Sequence, residues 1–319
     1  MEKQQSFADM EYAHRRRKTK RDEFLEKMDG VVPWKEWVSI VEPYYPNGKR
    51  GRRPRGIETM LRMLLLENWF DLSDEGIEDA IYDSYAMKWF VGIDFASGEQ
   101  VPDATTLCRF RKLLTDHHLQ EKFFSQVQEL LRAEGCEVRG GSIVDATIIE
   151  ASGNRKNKDK KPDPEMRSVK KGSNWYFGMR VHIGVDPVHG FTHTIVSTAA
   201  NEAESKIAPR LLREDDTVVY GDAGYLGLKN YVKDGIKREY RINQQIGTFK
   251  RYHVDSLAWQ EEKKIECRKS SMRSKVEYAF HVVKDVFHWR RARYDGIYKN
   301  HCQANILFAC ANLYMLAKG

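Results

Sequence analysis

The sequence predicts an α/β protein in which an all-helical N-terminal domain, residues 1–135, precedes a mixed five-stranded sheet with flanking helices over residues 136–319. Three observations lead there. Apolar residues recur at three- and four-residue intervals through the first 135 positions, the period of a helix face. That pattern stops at Gly135, Gly140 and Gly141, and short β-branched or alternating runs follow. Those runs come in the order strand, hairpin strand, strand, helix, strand, helix, strand, helix, which gives one sheet an antiparallel side and a parallel side. A length of 319 residues allows each part a core of its own.

Residues 1–30 are polar and basic, an arm followed by a helix. Residues 34–45 form a short amphipathic helix closed by Pro43 and Pro46. The basic stretch 49–56 contains Gly51, Pro54 and Gly56 and reads as a loop. Helical spacing is strong over 57–70, through Met60, Leu61, Leu64, Leu65 and Trp69. Ser73 is placed to cap a helix through Ile77, Ala80 and Ile81, and Pro102-Asp103 opens another through Leu107, Phe110 and Leu114. Helical spacing continues over 123–131. Short helices carrying Arg109 and Arg111 on turns read as exposed allow a helix-turn-helix-like DNA-binding arrangement.

Residues 142–149 are a β-branched run with Asp145 in its middle. A carboxylate inside a central strand costs several kcal/mol unless it is paired or bound to a metal; near a strand end it would be solvated, and a salt bridge is an equal alternative. Residues 151–173 are charged and without period, an exposed loop. Residues 175–185 alternate, Met179, Val181, Ile183 and Val185 against Arg180 and His182; His182 is read as a strand-face histidine and not a metal ligand. A hairpin turn at 186–190 returns the chain as a strand over 191–198. A helix over 203–212 leads to the strand 217–220, which ends at Asp222 between glycines, where open α/β sheets carry their sites; a helix cap is the competing role. A helix over 228–235, a strand over 238–243 and an apolar closing helix over 297–316 complete the order.

The helix over 271–284 puts Val276, Ala279, Phe280, Val283 and Phe287 on one stripe and Arg273, Glu277, His281 and Lys284 on another. Alone it would be an ordinary solvated helix with an ion pair. With Asp145 and Asp222 it supplies a third carboxylate. Three carboxylates from two strands and a helix suit magnesium, a hard cation that prefers oxygen ligands, and such ions can activate a water or 3′-hydroxyl for phosphodiester displacement. No GxSxG, Walker or HExxH pattern offers other chemistry.

Net charge is +7 and the sequence pI about 9.0. The basic residues are grouped, at 14–21, 49–55, 155–171 and 263–293, which suits a polyanion crossing the surface several times. The five cysteines form no CxxC pair, so no disulfide framework or zinc knuckle is expected. There is no apolar leader and no run of the roughly 20 apolar residues a membrane span needs; a cytoplasmic, nucleoid-associated protein is expected.

The residues 144–150, 170–186, 198–202, Asp222-Ala223-Gly224-Tyr225 and 273–284, with Gly51-Arg52-Arg53-Pro54, 58–62, 68–74 and 103–106, resemble bacterial DDE transposases of the insertion sequence family five. The resemblance spans nearly the whole chain. It implies a ribonuclease H-like catalytic core in which Asp145, Asp222 and Glu277 bind two Mg2+ ions, with Mn2+ able to substitute. It implies that Arg273 and Lys284 contact DNA, that Lys170, Lys171, Arg50, Arg52, Arg53, Arg55, Arg109 and Arg111 are further candidates for DNA contact, and that a homodimer holds two transposon ends. Relatives more widely carry a tyrosine three residues before that arginine, where this chain has Ser270. The implied reaction is cleavage at terminal inverted repeats and strand transfer of the 3′-hydroxyl ends into double-stranded target DNA. The competing functions are a catalytically silent DNA-binding regulator and a ribonuclease H-type nuclease without strand transfer.

Overall fold

A computed structural model of the chain describes residues 12, 14–46, 48, 54–136, 139–153, 161–245, 247 and 256–318. The chain divides into two compact units, Met1–Phe123 with Leu313–Gly319, and Phe124–Asn312.

The first unit is helical: α1 Lys20–Val31, α2 Trp34–Val41, α3 Ile57–Trp69, α4 Asp74–Asp83, α5 Tyr85–Val91 and α6 Ala104–Asp116. Several of these starts have a side-chain cap. Thr19 and Asp22 form a reciprocal capping box on α1. Ser73 accepts the Gly76 N–H at 2.9 Å to begin α4, and Asp103 accepts the Thr106 N–H at 2.7 Å to begin α6. Helix α3 is the hub, because Met60, Leu61 and every residue from Met63 to Trp69 are buried. That burial includes Glu67, which is fully enclosed and paired with Arg111. Arg111 also grips Asp74 with both guanidinium nitrogens, at 2.7 and 2.8 Å. Arg111, expected on an exposed turn, is therefore an internal tie between α3, α4 and α6, since a buried carboxylate requires a partner. A further helix, α7 Leu119–Ala133, leads into the second unit.

The second unit is built on one sheet of β1 Gly141–Glu150, β2 Arg167–Lys171, β3 Asn174–Val185, β4 Thr192–Ala199, β5 Val218–Gly221 and β6 Glu239–Ile242. The strand path is β2-β3-β1-β5-β6, with β4 also on β3. Pairs β1/β3, β2/β3 and β3/β4 are antiparallel, while β1/β5 and β5/β6 are parallel. The sheet thus has the two sides expected, but six strands, not five. The extra strand, β2, lies in the stretch 151–173 read as loop. Its residues are nearly all exposed, so no alternation marks it; it pairs with the exposed start of β3 through a turn at Gly172, whose φ of 62° favours glycine.

Close packing fixes the register of the central pair: a Cβ on Gly178 would lie 2.2 Å from the Ile149 carbonyl oxygen. Val144, Val196, Val219, Tyr225 and Ile242 form one core with Ala208, Leu211 and Leu228. The expected helix over 203–212 is a single α turn, α8 Glu204–Ile207, continued by a 3-10 turn Ala208–Leu211 that contains Pro209. Over 228–235 only the 3-10 turn Leu228–Asn230 forms, between the positive-φ glycines Gly227 and Gly235. Two long helices close the order, α9 Leu257–His281 and α10 Ile297–Leu316. Between them α9 passes into a π-helical turn, Val282–Val286. No helix among the described residues is long and apolar enough to cross a membrane.

Candidate active site

Strand β1 lies between β3 and β5, and Asp145 sits midway along it with its side chain 16% exposed. Its Oδ1 accepts the Ala146 N–H at 2.8 Å and its Oδ2 accepts from Arg273 Nη1 at 3.4 Å. Burial pushes this carboxyl up to about 6; the Asp222 and Glu204 charges add to the rise, while the Ala146 N–H and Arg273 oppose it. Arg273 also donates to Glu277 Oε1 at 3.0 Å through Nη2. One guanidinium on α9 thus joins two acids 132 positions apart (277 − 145). Glu277 is 59% exposed.

Asp222 directly follows β5, and its Oδ1 accepts the Gly224 N–H at 2.8 Å, capping the 3-10 turn Ala223–Tyr225. The capping role thus holds, and the residue stands at the end of a parallel strand. The cap aims the carboxylate.

Lys284 falls in the π turn. Its Nζ donates to the Ile148 carbonyl at 3.1 Å, and burial, then the Lys171 charge, lowers its pKa. π-Helical turns recur at functional sites, since one extra residue re-aims the side chains around it. His281 pairs with Asp285, Nδ1 to Oδ2 at 2.7 Å. His182 is buried, with Nε2 at 2.9 Å from Thr198 Oγ1, and burial lowers its pKa to about 3; it is the strand-face histidine expected. Ser270 Oγ accepts from Asn243 Nδ2 at 3.1 Å.

Lys170 and Lys171 are exposed on β2, and the exposed indole of Trp175 stands in register opposite Lys170. The Lys171 charge acts on both Glu204 and Lys284, so this hairpin neighbours the acids. Arg109 is exposed, and the Arg55 carbonyl accepts from the Tyr45 hydroxyl at 2.9 Å. Arg50, Arg52 and Arg53 lie outside the described residues.

Glu204, absent from the sequence reading, belongs to the same neighbourhood. It starts α8, pairs with Arg180 Nη1 at 2.9 Å, and has its pKa raised by burial, with Asp222 adding. The only sequence signal was its place two residues after the matched stretch 198–202.

The donor chemistry fits a hard divalent cation: carboxylate oxygens, one of them buried on a central strand among further negative charge. As they stand, no three His, Cys, Asp or Glu side chains among the described residues are grouped closely enough to hold one ion together. Arg273 holds Asp145 and Glu277 instead.

Residues 137–313, more than half of the chain, match the family described as Transposase DDE domain. The chain belongs to this family. It is a DNA transposase, and residues 13–113 match a second family, Transposase domain (DUF772). No solved structure matches the chain. Asp145, Glu204, Asp222 and Glu277 all lie within the transposase DDE region, whereas Arg55, Arg109 and Arg111 lie within the N-terminal transposase region. DDE transposases act on DNA with divalent metal ions, which agrees with the donor set of this transposase.

Proposed function

We propose that this transposase is of the insertion sequence family five type, with a ribonuclease H-like core over residues 136–319 whose catalytic acids are Asp145, Asp222 and Glu277. The observation that carries the proposal is the link Arg273 makes between Asp145 and Glu277, beside an Asp222 whose charge already bears on Asp145. Asp145 and Asp222 would hold two Mg2+ ions between them, Glu277 one of the two, and Mn2+ would substitute. Bound there, the ions would polarise the scissile phosphate and activate a water or 3′-hydroxyl for in-line attack.

The chain's own groups do the rest. Glu277, exposed on α9, turns from Arg273 toward the site. Arg273 then has a free guanidinium fork for a DNA phosphate or terminal base, the geometry Arg provides and Lys does not. Lys284, tied to Ile148, offers a point charge beside β1. Lys170 and Lys171 extend the basic edge along the β2–β3 hairpin. The helical part, residues 1–135, with its arm, Arg55 and Arg109, and with Arg50, Arg52 and Arg53 on sequence grounds, would hold the terminal inverted repeats. A homodimer would hold two ends, working in the cytoplasm on nucleoid DNA.

The test uses the purified protein and DNA ending in the inverted repeats that flank its coding region, with Mg2+ or Mn2+. Cleavage followed by joining of the 3′-ends to a target duplex is the expected result on a sequencing gel. Cleavage without joining would make the protein a nuclease, and specific binding without cleavage a regulator; either would refute the proposal.

A further inference from the structure

Two groups near the acids are not used by the reaction as set out above. Glu204 Oε2 and Asp222 Oδ1 both lie beside Gly224: a Cβ built there would lie 2.7 Å from the first oxygen and 3.0 Å from the second. Both carboxylates thus reach the same point beside Gly224, Asp222 through the hydrogen bond it accepts from the Gly224 N–H at 2.8 Å. The second group is the Tyr225 hydroxyl. It is fully buried, has no hydrogen-bond partner, and its ionisation is pushed well up by burial and then by the charges of Asp145, Glu204 and Asp222. A buried hydroxyl without a partner is destabilising, so it calls for an explanation.

We propose that Glu204 is a fourth carboxylate of the divalent-cation site, binding the ion held by Asp222, and that the Tyr225 hydroxyl donates to an oxygen on that ion. This rests on the reading of Asp145 and Asp222 as metal ligands. Charge bookkeeping favours it. Asp145, Asp222, Glu204 and Glu277 bring four negative charges, and the guanidinium groups in contact with them, Arg180 and Arg273, bring two positive ones. A partly buried surplus of negative charge draws a cation. Arg180 holds the new carboxylate from behind: it pairs with Glu204 at 2.9 Å and donates to the Glu202 carbonyl at 3.1 Å, fixing the turn that carries the acid. A lone structural ion pair would not leave a buried tyrosine hydroxyl in the field of three acids with nothing to bond.

The test is Mn2+ binding to the full-length protein, followed by calorimetry and by water-proton relaxation, without DNA. Glu204→Gln keeps an oxygen for Arg180 but removes the charge, and is expected to weaken Mn2+ binding tenfold or more. Glu204→Asp, which keeps the charge, retains more of the affinity. Tyr225→Phe, which removes the unpartnered hydroxyl, keeps or raises the melting temperature without Mn2+ yet weakens Mn2+ binding. Affinity within twofold of wild type in Glu204→Gln, or equal losses in Glu204→Gln and Glu204→Asp, would overturn the role of Glu204. Unchanged Mn2+ binding in Tyr225→Phe would overturn that of Tyr225. Asp145→Asn and Asp222→Asn serve as the reference: if they too bound Mn2+ as wild type does, the reading of the whole centre would fall, whereas their loss beside an unaffected Glu204→Gln would remove only this inference.

Discussion

Arg109 and Arg111 stand two residues apart on α6, yet only Arg109 is exposed. Arg111→Met would leave Glu67 charged and enclosed, which costs about 3–5 kcal/mol, whereas Arg109→Met should change stability by less than about 0.5 kcal/mol. Thermal melts of the two variants separate the cases: a large drop for Arg111→Met only is expected, together with weaker DNA binding for Arg109→Met. Their neighbours in sequence look alike, and nothing local distinguishes them. The difference comes from Glu67, 44 positions away and on the apolar hub helix. Asp145 and His182 give opposite pH dependences. Asp145 is raised to about 6, so without metal the folded state holds its proton more tightly than the unfolded chain. Its contribution is present at low pH and lost as pH rises from about 4 through 6. His182, lowered to about 3, must charge on unfolding, so its contribution is present above about 6.5 and lost as pH falls toward 3. Asp145→Asn should therefore steepen the acid loss of stability between pH 4 and 6 in chemical denaturation at 25 °C; an unchanged slope would show that Asp145 is not held as described.

At the scale of elements, the turn between β3 and β4 is the clearest case of a side chain building structure. Buried Asp186 accepts the N–H groups of Val188 at 2.9 Å, His189 at 2.7 Å and Phe191 at 2.7 Å. Lys275 of α9 donates to the Pro187 carbonyl at 2.5 Å, tying the helix that carries Arg273 and Glu277 to this turn. Asp186→Ala is expected to lose about 2–4 kcal/mol by orphaning several donors, and to lower the melting temperature more than Asp285→Ala, whose carboxylate is exposed on the π turn. A smaller loss than that of Asp285→Ala would contradict the role given to the turn. Elements with a strong period or a cap were legible in the sequence: α3, α4 through Ser73, α6 through Asp103, and β3 through its alternation. Those set by pairing were not. Strand β2 has polar residues on both sides and exists because β3 extends beyond β4. The π turn is likewise invisible to a 3.6-residue projection; Lys284, which falls in it, reaches Ile148 on β1, the strand that carries Asp145.

For the whole molecule, the grouped basic residues behind the net charge of +7 make DNA affinity salt-dependent. The slope of log affinity against log salt should be close to −0.9 per phosphate neutralised, and replacing both Lys170 and Lys171 with Gln should flatten it by about 2 in fluorescence anisotropy titrations. Asp145 and Asp222 were visible as acids on apolar strands, and Glu277 as an acid flanked by cations at helical spacing. Glu204 was hidden, because its nearness to Asp222 depends on how close α8 comes to Gly224, a distance no residue pattern encodes. On the proposed reading Asp145, Asp222 and Glu277 work together on DNA. This is tested most directly by a cleavage assay on end-bearing DNA in Mg2+ with Asp145→Asn, a substitution of nearly equal shape. This variant is expected to bind the ends as the wild type does and to leave them uncut; cleavage at the wild-type rate would show that Asp145 is not a catalytic acid.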